Sequence, residues 1–327
     1  MIGTHTYRFC EHLLASNVLL PELVRHERQV ADLSFELLRP TESVPESAIW
    51  FRGWRLADED EAWWLRFGEM DGEYLLRFPN YADFQVSPDG RTIRCQPVLD
   101  VPLVTIRHFL LDQVLPLALS LGGEFVLHAS AVDVGGHAIG VAGTTGRGKS
   151  TLAASFAAAA YPLFADDCLV LKESGEEWLV LPYYAGVRLW PENVSLLFPH
   201  VSGDSAVAHY THKRRVGGSM VPFAQAIRPL RHVFVLQDED GHAPCDRIVI
   251  EPLTAKEAFF ALLETNFLVD TRSRSTLKRQ FDQLGRLTEA IPCSALAYPR
   301  DHAILADVRA AVLSTVAGDG NSPGHTC

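Results

Sequence analysis

Residues Gly143-Thr144-Thr145-Gly146-Arg147-Gly148-Lys149-Ser150 fit the pattern Gly-x4-Gly-Lys-[Ser/Thr]. The pattern constrains the fold because it works in only one setting. Its glycines let the backbone curl so that successive N–H groups point at one anion. The loop must also join a strand to a helix whose positive dipole end faces the same anion. Both flanks agree: His137 to Ala142 reads as a strand, and Lys149 to Ala160 reads as an Ala-rich helix. In that setting Lys149 reaches the β- and γ-phosphates of a nucleotide. Ser150 offers a hydroxyl to Mg²⁺, and Thr151 offers one to the α-phosphate.

A second short apolar strand, Pro162 to Ala165, ends in Asp166-Asp167. In a parallel or mixed sheet that strand end lies beside the phosphates. One carboxylate there can hold Mg²⁺, and the other can take a proton from an attacking hydroxyl. Different neighbours separate the pKa values of two adjacent acids and so divide the roles. His128 lies in the strand expected over Glu124 to Val132. It reads as a core histidine unless the strands bring it next to Asp166.

The first hundred residues read mostly as strands. Trp63–Phe67 and Tyr74–Phe78 flank Met70-Asp71-Gly72, and Phe84–Val86 and Thr92–Cys95 flank Pro88-Asp89-Gly90. Both are hairpin signals, so an antiparallel meander is expected. The acidic run Asp58 to Glu61 reads as a solvated loop. Further on, Cys168–Leu171 with Trp178–Leu181 suggests another hairpin, and Val233–Leu236 a buried strand. Thr254 to Glu257 is a capping box opening a helix. A helix over Ser273–Ala290, a strand over Cys293–Tyr298 and a helix over 301–316 complete the pattern. The resulting division is an N-terminal β-rich domain over 1–100, with peptide recognition as a candidate role. A connecting helix over 101–122, a catalytic domain over 123–316 and a disordered tail over 317–327 follow.

Composition narrows the partners. A formal charge of −11 opposes nucleic acid and anionic membranes at long range. The six cysteines contain no Cys-x-x-Cys pair, which removes zinc-ribbon and thioredoxin readings. No basic stretch precedes an apolar core at the N-terminus. The apolar segment Val101–Leu121 carries Arg107, His108 and Asp112, so it reads as a core helix rather than a membrane span. A cytoplasmic location is the expectation, with assembly into a homo-oligomer left open. Lys213-Arg214-Arg215 is the one strong basic cluster. It is either a solvated loop or a mobile cation that neutralises a transferred phosphoryl group, with Gly217-Gly218 supplying mobility. Arg188 and Trp190 are candidates for the acceptor side of the pocket, although a tryptophan is more often core.

Taken together, Leu127-His128-Ala129-Ser130-Ala131-Val132, the loop Gly143–Thr151 and Leu163-Phe164-Ala165-Asp166-Asp167 resemble the catalytic core of the HPr kinase/phosphorylase family. Tyr7-Arg8-Phe9, Leu20-Pro21-Glu22-Leu23, Val187-Arg188-Leu189-Trp190-Pro191, Lys213-Arg214 and Tyr298-Pro299-Arg300-Asp301 are more similar to the HPr-kinase-like enzymes of lasso-peptide gene clusters. The resemblance implies a mixed α/β fold, a β-rich N-terminal domain followed by a P-loop kinase core of the HPr kinase/PEP carboxykinase type. It implies ATP and Mg²⁺ as cofactors and a peptide or protein serine as substrate, for the closer group a serine of the lasso-peptide precursor. By position, Asp166 would be the general base with His128 tuning it, Asp167 would serve Mg²⁺, and Lys149 would act on the phosphates. From the residues alone, a P-loop NTPase or nucleotide-dependent switch, a nucleotide-binding recognition module and a small-molecule kinase stay open.

Overall fold

The computed structural model describes residues 4–27, 30–42, 48–55, 63–201, 205–237, 246–267 and 272–319. It is mixed α/β, dominated by two nine-stranded sheets. The acidic run 58–61 and residues 320–327 of the expected tail lie outside the described residues, and residues 317–319, expected to be disordered, continue the last helix, Leu305–Asp319.

Nine strands make the first sheet: β1 (His5–Phe9), β2 (His12–Ser16), β3 (Val24–His26), β4 (Leu33–Leu37), β5 (Ile49–Arg55), β6 (Trp63–Met70), β7 (Glu73–Phe78), β8 (Ala82–Val86) and β9 (Thr92–Pro97). Their order is β3-β1-β2-β4-β9-β8-β7-β6-β5, which leaves β5 at one edge. Strands β5 to β9 form the antiparallel meander read from the turn signals. Asp71 and Gly72 close one hairpin with φ of 54 and 79°, as a two-residue connection that follows strand twist requires. Ahead of β5 the meander expectation fails. Strand β4 lies between β2 and β9 and pairs with both in parallel. Parallel neighbours need a crossover rather than a tight turn, and a crossover leaves no turn signal to read.

A helix over Leu103–Gly122 packs against this sheet. Phe109 stacks on Phe78 with ring centroids 3.9 Å apart. Buried residues of the first sheet, of this helix and of the strands beyond it form one continuous apolar cluster. By length and composition the helix could cross a membrane, yet 78% of its apolar window is buried inside the protein. That matches the core-helix expectation drawn from its charged residues. Its middle, Leu110–Val114, is a π-helical turn.

The chain then builds β10 (Phe125–Leu127), β11 (Ala129–Val134), β12 (His137–Ala142), β13 (Leu163–Ala165), β14 (Leu169–Ser174) and β15 (Glu177–Leu181). A small sheet of β16 (Gly186–Leu189), β17 (Ser205–Ala206) and β18 (Arg214–Gly217) follows. Strands β19 (Arg228–Leu236), β20 (Val249–Leu253) and β21 (Cys293–Ala297) complete the second large sheet. Its path runs β10-β14-β15-β19-β12-β11-β13, with β21 on β19 and β20 on β21. The strand expected over Glu124–Val132 is broken at His128, because β10 pairs with β14 while β11 pairs with β12 and β13. The capping box forms as read: Thr254 Oγ1 accepts from the Glu257 N–H, and the Glu257 carboxylate accepts from the Thr254 N–H.

The Pro88–Gly90 turn rests directly on the helix. Gly90 has φ of 74°, and a Cβ there would lie 2.1 Å from the Ala118 carbonyl oxygen. Gly72 has a similar φ of 79° with nothing within 4 Å. Gly72→Ala should therefore cost about 1 kcal/mol, from the left-handed backbone alone. Gly90→Ala should cost upward of about 2 kcal/mol, because the turn must also move off the helix. Urea unfolding of both variants checks this, and equal costs would show that the close approach carries no energetic weight.

Candidate functional site

Strand direction explains why distant residues meet. Strand β13 runs antiparallel to β11, and β11 runs antiparallel to β12. Two reversals make β12 and β13 point the same way, so their C-terminal ends share one edge of the sheet. The Gly143 loop leaves β12 at that edge, and Asp166-Asp167 leaves β13 there. His128 precedes Ala129, which pairs with Ala142, the last residue of β12. It stands at the same edge.

The loop Gly143–Ser150 has the conformation its glycines permit. Gly143, Gly146 and Gly148 have φ of 146, 87 and 92°. Gly148 is the N-cap of the helix Lys149–Ala158, which ends two residues before the expected Ala160. The tip residues Thr144, Thr145 and Gly146 are exposed. Arg147 Nε donates to Thr144 Oγ1 at 3.2 Å. Lys149 is buried, and its Nζ donates to the carbonyls of Gly143 (2.7 Å) and Thr144 (3.0 Å). Burial pulls its pKa down to about 8, against the opposing charge of Asp166. Thr151 Oγ1 accepts from Asn193 Nδ2 at 3.2 Å. Ser150 is half-buried in the first turn of the helix.

The two acids diverge. Asp166 is 1% exposed. Its Oδ1 accepts from Ser130 Oγ (3.2 Å) and its Oδ2 from the Arg188 backbone N–H (2.9 Å). Asp167 takes a left-handed backbone, φ 68°, which Asp tolerates better than most residues. That turn sends its carboxylate outward, where the side chain is 20% exposed. His128 meets Asp167, and this corrects the expectation that it would sit on Asp166. Its Nδ1 lies 3.1 Å from the Asp167 carbonyl oxygen, and its Nε2 lies 4.0 Å from Asp167 Oδ1. A carbonyl only accepts, so Nδ1 carries the proton and Nε2 keeps its lone pair. Burial, with the charges of Lys149 and Arg188, pushes the His128 pKa down to about 3.

Arg188 joins the acids to a buried charge network. Its Nη2 pairs with Asp167 Oδ2, its Nη1 lies 3.2 Å from Asp112 Oδ2, and its Nε lies 3.7 Å from Asp166 Oδ2. Asp112 sits in the π-helical turn and is 2% exposed. It accepts from Tyr184 Oη and His108 Nδ1, both at 2.6 Å, and from Arg215 Nη2 at 3.3 Å. Burial opposes its charge. The charges of Arg188, His108 and Arg215, with the His108 bond, outweigh it and hold the carboxyl well below the usual range. Arg215 and Arg107 converge on Glu22 Oε1 at 2.8 and 3.0 Å.

The basic cluster therefore divides. Arg215 is 4% exposed and structural, which corrects the loop reading of that residue. Lys213 lies over the Trp190 ring, 5.4 Å from its centroid, and burial and the charge of Arg188 lower its pKa. Trp190 is 45% exposed rather than core. Arg214 precedes Arg215 on β18 and by strand alternation faces the other way. Arg188 is buried among the acids instead of lining an open wall. Sequence reading missed Asp112, Glu22, Ser130 and Tyr184 as parts of the site. The signal for Asp112 was an i,i+4 histidine and aspartate inside an otherwise apolar helix.

Mg²⁺ beside a triphosphate takes most of its ligands from phosphate and water and needs only one or two protein oxygens. The described residues contain no cluster of three or more metal-binding side chains. The oxygen donors at this edge are Ser150, in the first turn of the helix, and the pair Asp166 and Asp167 at the end of β13.

No family model matches the chain, and no curated protein sequence matches it. Among solved structures, it is similar to the Hpr(Ser) kinase/phosphatase from Coxiella burnetii. The match covers 60% of this chain and 99% of that one, at 12% identity and a TM-score of 0.33. A likeness so distant leaves the functional reading to the residues themselves.

Two outcomes follow from the buried charges. Unfolded His128 gains a proton near pH 6.5, and folded His128 resists it until about 3. Stability at this residue is therefore lost as pH falls through that window. His128→Asn should flatten the decline in urea midpoint between roughly pH 7 and pH 5; an unaltered slope would show that the imidazole is not held neutral. Asp112→Asn strips two buried guanidinium groups of a counter-charge and should cost about 3–5 kcal/mol in thermal unfolding.

Proposed function

We propose that this chain is an ATP-dependent phosphotransferase that moves the γ-phosphoryl group to a serine hydroxyl on a peptide or protein. The lasso-peptide precursor is the acceptor to which the sequence resemblance points. One observation carries the reading: a phosphate loop, a pair of acids and a neutral histidine occupy one edge of one sheet.

Both acids enter the reading with roles opposite to those first expected. Asp166 is enclosed, and its charge acts on Lys149, so it belongs to the phosphate-loop side. Asp167 is partly exposed beside His128, so it belongs to the acceptor side. Asp167 then takes the hydroxyl proton as the serine Oγ–Pγ bond forms and the bond from Pγ to the β–γ bridging oxygen breaks, releasing ADP. His128 holds the Asp167 backbone through its Nδ1–H and presents a neutral Nε2 beside the same carboxylate. Loop N–H groups and Lys149 bind the β- and γ-phosphates, and Lys213, held over the Trp190 ring, supplies a further cation. Ser150 and Asp166 would hold Mg²⁺, which when bound neutralises charge between the β- and γ-phosphates. Most of the acceleration comes from positioning and charge stabilisation.

Incubation with γ-labelled ATP, Mg²⁺ and serine-containing precursor peptides, read by mass spectrometry, should give phosphoserine. Lys149→Ala should abolish nucleotide uptake in calorimetry. Asp167→Asn should bind Mg·ATP normally and transfer phosphate about 10²–10⁴-fold more slowly. Asp166→Asn should weaken Mg·ATP binding itself. If Asp167→Asn transfers at the normal rate, the division of roles is wrong. Rapid ATP hydrolysis that no acceptor redirects would point to an NTPase instead.

A further inference from the structure

The stretch that begins at β16 reaches the nucleotide loop as well as the acids. Arg188, the third residue of β16, faces Asp166 and Asp167. The chain then enters a short helix, Pro191–Leu197, with Trp190 as its N-cap and Pro191 in its first turn. A proline there has its φ already set for the helix. The Val194 N–H closes that turn on the Trp190 carbonyl at 3.0 Å. Val194 and Phe198 belong to the same buried apolar cluster as Leu152 and Phe156, which lie on the helix Lys149–Ala158. Packing therefore fixes where the short helix meets the one that follows the loop, and Asn193 lies at the meeting.

Asn193 is 7% exposed. Its Nδ2 donates to Thr151 Oγ1 at 3.2 Å. Its Oδ1 is shielded from solvent and has no hydrogen-bond partner among the described residues. A buried carbonyl left unpaired is costly, and an apolar side chain of similar size avoids that cost. Stability alone therefore does not account for an asparagine among these neighbours. Its one bond does. An amide N–H only donates, so Thr151 Oγ1 is the acceptor, and the single Thr151 proton is left for another partner. Among the described residues that hydroxyl makes no other hydrogen bond. Without the amide it is free to turn its proton to the Arg147 carbonyl four residues back, the usual partner of a helical threonine.

We propose that Asn193 is a positioning residue for the nucleotide. It holds the Thr151 hydroxyl as an acceptor, so that the threonine proton is donated to the α-phosphate. The proposal rests on the nucleotide-binding reading of Gly143–Ser150, but not on the identity of the phosphoryl acceptor. The bond it prepares is charge-assisted, which makes the direction of one proton matter to affinity.

Calorimetry of Mg·ATP binding to the full chain, arranged as a double-mutant cycle, tests it. Asn193→Leu should weaken binding about tenfold. Its melting temperature should stay at or above the wild-type value, because the unpaired carbonyl leaves with the amide. Asn193→Asp has the same shape without the amide donor. It should lose at least as much affinity, and it takes the place of the leucine variant should that one fail to fold. Thr151→Val should weaken binding by a similar factor, and the double variant should bind no more weakly than Thr151→Val alone. Thr151→Ser keeps a hydroxyl, so it should keep both the affinity and its dependence on Asn193. Wild-type affinity in Asn193→Leu overturns the proposal and leaves the nucleotide reading standing. So does a double variant in which the two losses multiply to about a hundredfold. A wild type that takes up no Mg·ATP overturns the nucleotide reading itself, and the proposal with it.

Discussion

The carboxylate of Asp112 is the fixed point of this molecule. It is buried in the helix between the two large sheets, where an unpaired charge would cost several kcal/mol. It is tolerated because Tyr184, His108, Arg188 and Arg215 all donate to it or face it. Those partners come from the helix, from the segment after β15, and from β16 and β18. One group thus locks four parts of the chain together, and it sets Arg188 against Asp166 and Asp167. Without that anchor the long arginine would have several rotamers to choose from at the phosphate edge. Glu22, in the connection between β2 and β3, extends the same arrangement through Arg107 and Arg215.

What sequence reading recovers and what it misses follow a physical division. The phosphate loop, the capping box and the two hairpins are local: each depends on residues within a few positions, so their chemistry is visible in a short window. The helix over Lys149–Ala158, the hairpin of β14 and β15, and the final strand and helix are likewise close to expectation. The parallel insertion of β4, the break at His128 and the burial of Arg215 are long-range. They depend on which strands become neighbours, and no window of sequence holds that information. The acids show both sides. Their place at the strand end was legible. Which one faces outward was not, because it depends on the left-handed turn at Asp167 and on Arg188 arriving from 21 or more residues away.

His128 lines a cavity together with Trp54 and Arg55 of β5, and it bonds the Asp167 backbone at the sheet edge. A neutral imidazole suits that position. A charged one would add to Lys149, Arg188 and Lys213, already crowded on the same side, and would weaken the basicity of the carboxylate it touches.

The π-helical turn at Leu110–Val114 has a consequence for how this helix can vary. Such a turn is an α-helix carrying one surplus residue, and one residue advances the spiral by about 100°. The offset lets the helix keep apolar faces toward two different sheets while Asp112 turns to the charge network. Removing a single residue here would rotate everything from Leu115 to Gly122 out of phase with its neighbours. Asp112 aside, the segment should therefore accept changes of side chain far more readily than changes of length.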